Sequence, residues 1–171
     1  TFPYIKLRMH NADSLNGTPY QLRWWRLYYT PVPEGALAPN ILLQMKDTLV
    51  MGEALNFKIA FKNISDAAFD SLKLQAFVLD KNNATQPIIL GRKKPLISGD
   101  TTTISFTIDT KNYPGVNTLY VAVNPDNDQP EQFFFNNFLY KTFYVKEDKY
   151  NPLLDVTFDG IHILNGDIVS P

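Results

Sequence analysis

Apolar and polar residues alternate with a period of two in short stretches of the chain, and Pro, Gly, Asn and Asp separate these stretches. The clearest alternation covers residues 55–61, whose apolar positions are Leu55, Phe57, Ile59 and Phe61. Because successive side chains of a strand point to opposite faces, this pattern predicts a strand with one face on a core. Similar alternation predicts further strands at residues 72–78, 87–93, 102–108, 119–123 and 135–145. A helical period is hard to find anywhere, so the sequence predicts an all-β fold.

The order of these strands predicts how they pair. The strands at residues 55–61 and 72–78 follow each other directly, and we expect them to form a hairpin. The strand at residues 135–145 carries apolar side chains on both faces, which indicates a strand covered on both sides. About seven antiparallel strands between residues 47 and 146 favour an immunoglobulin-like Greek-key β-sandwich, because that arrangement buries many one-faced strands at once.

The two flanks of the chain differ from its centre. Residues 1–40 contain a strand-like stretch at 20–29 and then a Pro-X-Pro linker with Gly35, which we interpret as a flank from a preceding domain. Residues 41–148 form the predicted sandwich. In residues 149–171, two apolar runs joined by an Asp159-Gly160 turn predict a hairpin that either docks on the sandwich or opens a following module. Since the chain starts at Thr1 and ends without a polar tail, we expect a piece of a longer protein.

The composition narrows the classes of function. Hydrophobic residues make up 44% of the 171 residues and charged residues only 19%, which favours a folded domain over a disordered one. The 16 Lys and Arg nearly balance the 17 Asp and Glu, so neither nucleic acid nor an anionic membrane is a predicted partner. The chain has no Cys, which excludes disulfides, thiolate nucleophiles and Cys-ligated metals. No apolar stretch is long enough for membrane insertion.

Catalytic chemistry has little to build on in this sequence. His10 and His162 are the two histidines, and they lie in different flanks. A Ser-His-Asp set or a multi-His metal site would need these flanks to meet. We therefore predict no catalytic residue, no metal site and no cofactor for this chain.

One loop concentrates oxygen ligands. Asn124, Asp126, Asp128 and Glu131 lie close together in sequence, a density that suits Ca²⁺. The EF-hand pattern fails, because Pro130 takes a ligand position and the required Gly is missing. Turn formation by the Asn and Asp side chains is the favoured interpretation, and Ca²⁺ binding stays the alternative.

Two aromatic clusters are candidate contact surfaces. Trp24 and Trp25 are adjacent, so a strand directs one of them to a core or a neighbouring domain and the other to the surface. Tyrosines surround this pair, and such a set is able to form a platform for sugar rings, which makes carbohydrate binding the alternative function. The run from Phe133 to Phe135 is either the start of a buried strand or a protein-binding patch.

The central residues resemble a known family of bacterial modules. Nine positions carry the resemblance: Gly52, Asn63, Gly99, Gly115, Asn124, Asp126, Glu131, Asn136 and Asn137. The most specific stretch, residues 123–127 followed by Glu131 and Asn136-Asn137, resembles the Val-Asp-Pro-Asp-Asn, Glu and Asn-Asn signature of that family. Over residues 47–146 the chain is similar to CARDB, the cell adhesion-related domain found in bacteria. The resemblance implies an immunoglobulin-like module of large surface proteins, in which these positions have structural roles.

The flanks resemble a second group of proteins. Residues 18–22, 31–40 and 151–160 look like stretches of very large Bacteroidetes proteins that carry a gingipain-like cysteine peptidase domain elsewhere. That resemblance implies export similar to type IX secretion cargo and a location outside the cell or on its outer surface. The catalytic Cys of that family has no counterpart here, so we predict a non-catalytic spacer, stabiliser or protein-contact module. Its implied partners are neighbouring domains of the same polypeptide, and also a surface protein or a glycan.

Overall fold

The computed structural model describes residues 5–10, 12–17, 22–147, 157–158 and 161–162, and the chain divides into two compact units, Thr1–Thr30 and Pro31–Pro171. In the first unit the described residues form no helix or strand. Asp13 makes a turn there, since its Oδ1 accepts hydrogen bonds from the amides of Leu15 (3.0 Å) and Asn16 (2.9 Å). The strand predicted at residues 20–29 is therefore wrong for residues 22–29, because none of the described strands pairs with them.

The described secondary structure of the second unit consists mainly of strands, the longest of which have nine or ten residues. Those before residue 147 are β1 (Gly35–Leu37), β2 (Leu43–Gln44), β3 (Thr48–Val50), β4 (Ala54–Asn63), β5 (Leu74–Leu79), β6 (Thr85–Ile88), β7 (Thr101–Asp109), β8 (Gly115–Val123) and β9 (Phe138–Lys146). Two more strands, β10 (Thr157–Phe158) and β11 (Ile161–His162), pair antiparallel as the predicted terminal hairpin, although its Asp159-Gly160 turn lies outside the described residues. Short 3₁₀ turns occupy Thr110–Asn112 and Pro125–Asn127. Within the described ranges no helix has the length and apolarity to cross a membrane.

The strands before residue 147 form two sheets that face each other. In the four-stranded sheet, β4 pairs antiparallel with β1, β2 and β7. The five-stranded sheet has the order β3-β9-β8-β5-β6, in which only β3 and β9 run parallel. The predicted all-β immunoglobulin-like sandwich is confirmed.

The core lies between the two sheets and follows the period-two pattern. On β4 the alternating apolar side chains are fully buried, as the sequence predicts: Leu55, Phe57, Ile59 and Phe61. From the five-stranded sheet, the facing side chains include Val78, Leu119, Val121, Phe143 and Val145. Each such burial contributes about 1.5–3 kcal/mol, so these alternating positions hold the two sheets together.

The predicted hairpin between the strands at residues 55–61 and 72–78 is wrong. These strands are β4 and β5, and they belong to different sheets. The connection crosses from one sheet to the other, and single bridges from Phe69 to Leu96 and from Leu72 to Lys93 hold it. Phe69 and Leu72 are both buried in the core. Each strand has one apolar face, and placing the two strands in opposite sheets lets both faces meet the same core.

A strand also stands where the sequence predicts a linker. Gly35–Leu37 form β1, which pairs with residues 61–63 of β4. A Cβ at position 35 would collide with the ring of Phe61, so Gly is required for this close approach. The division of the chain at residues 40 and 148 stays a prediction, and residues 148–156 and 163–171 lie outside the described part.

Candidate functional site

Three of the glycines in the CARDB-like pattern occupy turns with positive φ. The φ angles are +86° at Gly52, +75° at Gly99 and +91° at Gly115. L side chains are strained in this region, so glycine is the residue that closes such turns at least cost. Gly52 also donates its amide hydrogen to Oγ1 of Thr110 at 3.1 Å. These positions shape the loops between strands and offer no reactive group.

Asn63 fixes the start of the crossing between β4 and β5. It is fully buried, and its Nδ2 donates to the carbonyl oxygens of Ala67 (2.8 Å) and Leu96 (3.1 Å). Its Oδ1 accepts from the amide of Ser65 at 3.0 Å. A buried side-chain amide with these partners replaces backbone pairing where the chain leaves the sheet.

Glu131 is the centre of a buried hydrogen-bond network between the β8–β9 loop and β1. Its Oε2 accepts from the amide of Gly35 at 3.0 Å. Its Oε1 accepts from Nδ2 of Asn137 at 2.6 Å and from Nδ2 of Asn124. Burial raises the pKa of Glu131, and the hydrogen bonds from these three donors offset only part of that rise. Three positions of the CARDB-like pattern therefore meet in one structural anchor.

Glu34 is a second anchor of the same loop, and the sequence analysis missed it. Its Oε2 accepts from the amides of Gln132 (2.8 Å) and Phe133 (2.9 Å). Its Oε1 accepts from Nδ2 of Asn136 at 2.9 Å. The partners are 98 or more residues away in the chain, so no local pattern singles out this carboxylate.

Of the four candidate Ca²⁺ ligands in the β8–β9 loop, Asn124 and Glu131 hydrogen-bond to each other, while Asp126 and Asp128 form ion pairs. Oδ1 of Asn124 accepts from the amide of Gln129 at 2.8 Å, as expected for turn formation. A 3.3 Å ion pair joins Asp126 to Lys73, and Asp128 pairs with Arg92, whose hydrogen bond lowers the pKa of that carboxyl. Across the described residues, no three His, Cys, Asp or Glu side chains are grouped so that they could hold a metal ion. The described geometry therefore gives the Ca²⁺ alternative no support.

The outer face of the five-stranded sheet carries aromatic rings across three neighbouring strands. The register places Phe77 of β5 opposite Tyr120 of β8, and Tyr120 opposite Tyr140 of β9. The ring centroids of Phe77 and Tyr120 are 4.5 Å apart, and those of Tyr120 and Tyr140 are 4.8 Å apart. Phe138 lies 6.4 Å from Tyr120 and 6.1 Å from Tyr140 by the same measure. We refer to these four rings as the aromatic face.

The outward positions around the aromatic face are uncharged. Register and alternation add the following residues to this side of β5, β8 and β9: Gln75, Leu79, Val116, Thr118, Ala122, Thr142 and Tyr144. The first outward charge on β9 is Lys146, at the end of the strand. Phe138 is 46% exposed and Tyr140 56%, so the prediction that this strand is covered on both sides is wrong for the described chain. Only one side of β9 meets the other sheet, and its remaining aromatic residues stay on the surface.

A cavity of about 190 Å³ opens where the aromatic face meets the β8–β9 loop. We call it the loop cavity, and its lining comprises Tyr120, Ala122, Val123, Asn124, Pro125, Asp126, Asn127, Phe134, Asn137 and Phe138. Asn124, Asp126 and Asn127 adopt left-handed backbone conformations, with φ of 53°, 60° and 55°. The structure thus brings Asn124, Asp126 and Asn137 of the CARDB-like pattern to one end of the aromatic face.

The three consecutive phenylalanines of the loop are not the start of a buried strand, and that interpretation is wrong. Phe133 is 48% exposed and Phe135 72%, with their ring centroids 5.6 Å apart. β9 begins only at Phe138, because the hydrogen bonds to Glu34 hold the preceding residues in a turn. Phe134 is one of the residues that line the loop cavity.

The two tryptophans are both on the surface. Trp24 is 65% exposed and Trp25 50%, so neither is a core residue of the described chain, and packing of one of them against a neighbouring domain stays a prediction. They do not sit in a described strand, which removes the reason for sending them to opposite faces. The guanidinium of Arg26 lies 4.9 Å from the ring centroid of Trp24 and 5.9 Å from that of Tyr28.

No family model and no curated protein matches the chain. Among solved structures, the CARDB domain of the PF1109 protein from Pyrococcus furiosus, crystallised in complex with di-metal ions, is 14% identical with a TM-score of 0.55, and the match covers 71% of this chain and 100% of that one. The solution NMR structure of the same domain also gives 14% identity and a TM-score of 0.55, over 68% of this chain and 98% of that one. A β-glucosidase from Listeria innocua is 16% identical over 77% of this chain and 20% of that one, with a TM-score of only 0.48. The likeness to the CARDB domain shows the immunoglobulin-like fold of this chain.

Proposed function

We propose that this chain is a non-catalytic immunoglobulin-like module of a longer exported surface protein, and that it packs its aromatic face against a neighbouring domain of the same polypeptide. One observation carries the proposal. The outer side of β5, β8 and β9 exposes four contacting aromatic rings and no charged side chain before Lys146. The fold, which is that of a CARDB domain, supports a contact module.

Exposed aromatic area is the physical reason for expecting a partner. Tyr140 of the aromatic face is 56% exposed. Tyr144, which lies on the same side of β9, is 44% exposed. Proteins rarely leave a contiguous apolar patch of this kind in water unless something covers it. Tyrosine suits a surface that is wet before association, because its ring is apolar while its hydroxyl finds a hydrogen-bond partner on either side.

The arrangement of the rings favours a protein partner for this face over a sugar. Phe77 and Tyr120 stack with an interplanar angle of 27°, and Tyr140 lies against Tyr120 on its other neighbouring strand. The stacked faces of Phe77 and Tyr120 are covered by each other, which leaves no flat platform at the centre of this face for a sugar ring. Together the rings form a broad apolar patch with hydroxyl groups, which is typical of the centre of a protein interface.

The proposal also includes the location of the protein and the kind of domain that lies beside this chain. The absence of Cys means that a peptidase nucleophile of the gingipain-like type would lie in another part of the polypeptide. The likeness of residues 31–40 and 151–160 to large Bacteroidetes proteins supports a place beside such a peptidase domain. It also supports export of the type IX kind and a location outside the cell or on its outer surface.

Cell fractionation tests this context. An antibody against the 171-residue chain should detect, at the cell surface or in the medium, a protein far larger than 19.5 kDa. A free cytoplasmic species near 19.5 kDa would sink the proposal of an exported module.

Carbohydrate binding is the second candidate function, and the exposed aromatic residues of the first unit favour it. Trp24, Trp25, Tyr28 and Tyr29 are all at least half exposed. If these side chains bind glycans, Trp24→Ala abolishes retention on a glycan array and leaves the Tm unchanged, whereas Leu27→Ala, a change at another exposed apolar position, retains binding. An equal fall of Tm and binding in Trp24→Ala would instead show a packing role.

A further inference from the structure

The loop cavity combines aromatic residues with the amide side chains of Asn and the carboxylate of Asp126. Tyr120, Phe134 and Phe138 contribute the rings. The electron-rich faces of aromatic rings attract ammonium and guanidinium groups, and the attraction grows where water is excluded. The cavity of about 190 Å³ holds several times the volume of one water, which is about 30 Å³, and so has room for the end of a long basic side chain.

Asn137, one of the residues that line the loop cavity, has a buried side-chain oxygen. Asn137 is 3% exposed, and its Nδ2 is bonded to Glu131. Its Oδ1 has no hydrogen-bond partner within the described chain. This oxygen is closed to solvent, so the groups of the cavity that a ligand meets are the aromatic side chains and the carboxylate of Asp126.

Asp126 supplies negative charge to the same cavity. Its side chain is 79% exposed, and it makes a 3.3 Å ion pair with Lys73, which is itself 44% exposed. Burial raises the pKa of Tyr120, and the neighbouring Tyr140 and the carboxylate of Asp126 raise it further. The negative charge of Asp126 therefore acts on Tyr120, which is one of the residues that line the cavity.

We propose that the loop cavity binds a cationic side chain, the ammonium of Lys or the guanidinium of Arg, carried by the domain that covers the aromatic face. The inference rests on the proposed function, because it names the chemical group that the covering domain presents at the loop-cavity end of the aromatic face. The cation lies against the aromatic side chains that line the cavity and faces the carboxylate of Asp126.

Lys73 competes with the incoming cation for Asp126. An exposed ion pair contributes little to stability, so a ligand cation is able to replace it. Removing the two charges then has opposite effects on binding. Asp126→Asn weakens the site, whereas Lys73→Gln leaves the carboxylate free for the ligand and strengthens it.

Amide NMR titration of the whole 171-residue chain tests the proposal with N-acetyl-arginine methylamide as the probe. The neutral control is the citrulline derivative, which has the same shape without the charge. We expect the arginine probe to bind with a Kd in the range of about 1–10 mM and to shift the amides of Tyr120, Ala122, Asn127 and Asn137. Asp126→Asn should raise the Kd about fivefold, and Lys73→Gln should lower it about twofold. Asp66→Asn, which removes an exposed carboxylate elsewhere, should leave it unchanged.

Each other outcome overturns the proposal. Equal shifts with the citrulline derivative would show that charge is not recognised. Shifts outside the loop cavity, or none with either probe, would remove the site. Neither result bears on the burial of Tyr140 in the full-length protein, which tests the proposed function separately.

Discussion

The two outer faces of the sandwich differ in chemistry although both are built on long antiparallel strands. On the four-stranded sheet, the outward residues of β4 and β7 are polar apart from Ala54 and Ala60: Asn56, Lys58, Lys62, Thr101, Thr103, Ser105, Thr107 and Asp109. Hydrogen bonds between neighbours complete this polar face, such as the 2.9 Å bond from Oγ1 of Thr107 to Oδ1 of Asn56. The five-stranded sheet instead presents the aromatic face and uncharged neighbours.

This difference separates a surface whose polar groups water satisfies from one whose aromatic rings gain free energy when they are covered. Hydroxyl, amide and charged groups of the polar face hydrogen-bond to water at no net cost. Rings on the aromatic face gain from leaving water, at about 25 cal/mol per Å² of apolar area. Both faces rest on the same core, so packing inside the sandwich does not explain the contrast between them.

The largest expected effect comes from the anchor at the end of the aromatic face, because the polar face has no comparable network. Glu131→Ala leaves the donors of Gly35, Asn124 and Asn137 without their acceptor. We expect a loss of about 3 kcal/mol in the free energy of unfolding, measured by urea denaturation. Ser105→Ala on the polar face should stay within about 0.5 kcal/mol. Equal losses in the two variants would contradict an anchoring role for Glu131.

The second-largest expected effect compares how much side-chain packing on each face contributes to the free energy of unfolding. Tyr120→Ala removes the ring that contacts Phe77 and Tyr140, and we expect a loss of about 2 kcal/mol. Thr103→Ala on the polar face should cost about 0.5 kcal/mol or less. Thermal unfolding of the isolated chain measures both. If Tyr120→Ala cost no more than Thr103→Ala, the aromatic rings would not support one another.

A lysine introduced on each face distinguishes an effect on the stability of the chain from an effect on contact with a neighbouring domain. Tyr140→Lys removes a ring that contacts Tyr120 and should lower the stability of the isolated chain by about 1 kcal/mol, whereas Thr103→Lys at an exposed site should change it by about 0.5 kcal/mol or less. In the full-length protein only Tyr140→Lys should loosen domain packing, seen as severalfold faster limited proteolysis between domains. Identical proteolysis rates in the two variants would mean that the aromatic face has no partner there.

The smallest effect is a dependence on pH. The pKa of Tyr120 is raised above its ordinary value of 10.0, so the fold favours the neutral phenol. This contribution is complete below the ordinary value and is lost as the pH rises through the raised pKa. Tm measured between about pH 8 and pH 11 should therefore fall less steeply in Tyr120→Phe than in the unchanged chain. Superimposable curves would contradict the environment described for this ring.

The sequence predicts burial well and pairing poorly. Alternation on β4 correctly identifies Leu55, Phe57, Ile59 and Phe61 as core residues, because the period of a strand is a local property. It does not identify the neighbouring strand, and β4 and β5 are consecutive yet lie in different sheets. Alternation shows which face of a strand is buried. Which strand lies beside it depends on how all the strands pack around the core.

The candidate site shows the same limit. Phe138 and Tyr140 are outward aromatic residues on a strand that is apolar on both sides, and such a pattern is equally typical of a strand covered twice. Glu34 and its partners in the β8–β9 loop meet only in the folded chain. The CARDB-like pattern nevertheless contains Asn124, Glu131 and Asn137, which the structure brings together around one carboxylate.

Hydroxyl-radical footprinting tests the central claim most directly, by comparing the 171-residue chain with the full-length native protein. The account predicts that Phe138, Tyr140 and Tyr144 are readily oxidised in the isolated chain and protected in the full-length protein. Ile64, an exposed residue outside the aromatic face, should be modified equally in both. Equal oxidation of Tyr140 in the two proteins would contradict the claim that a neighbouring domain covers the aromatic face.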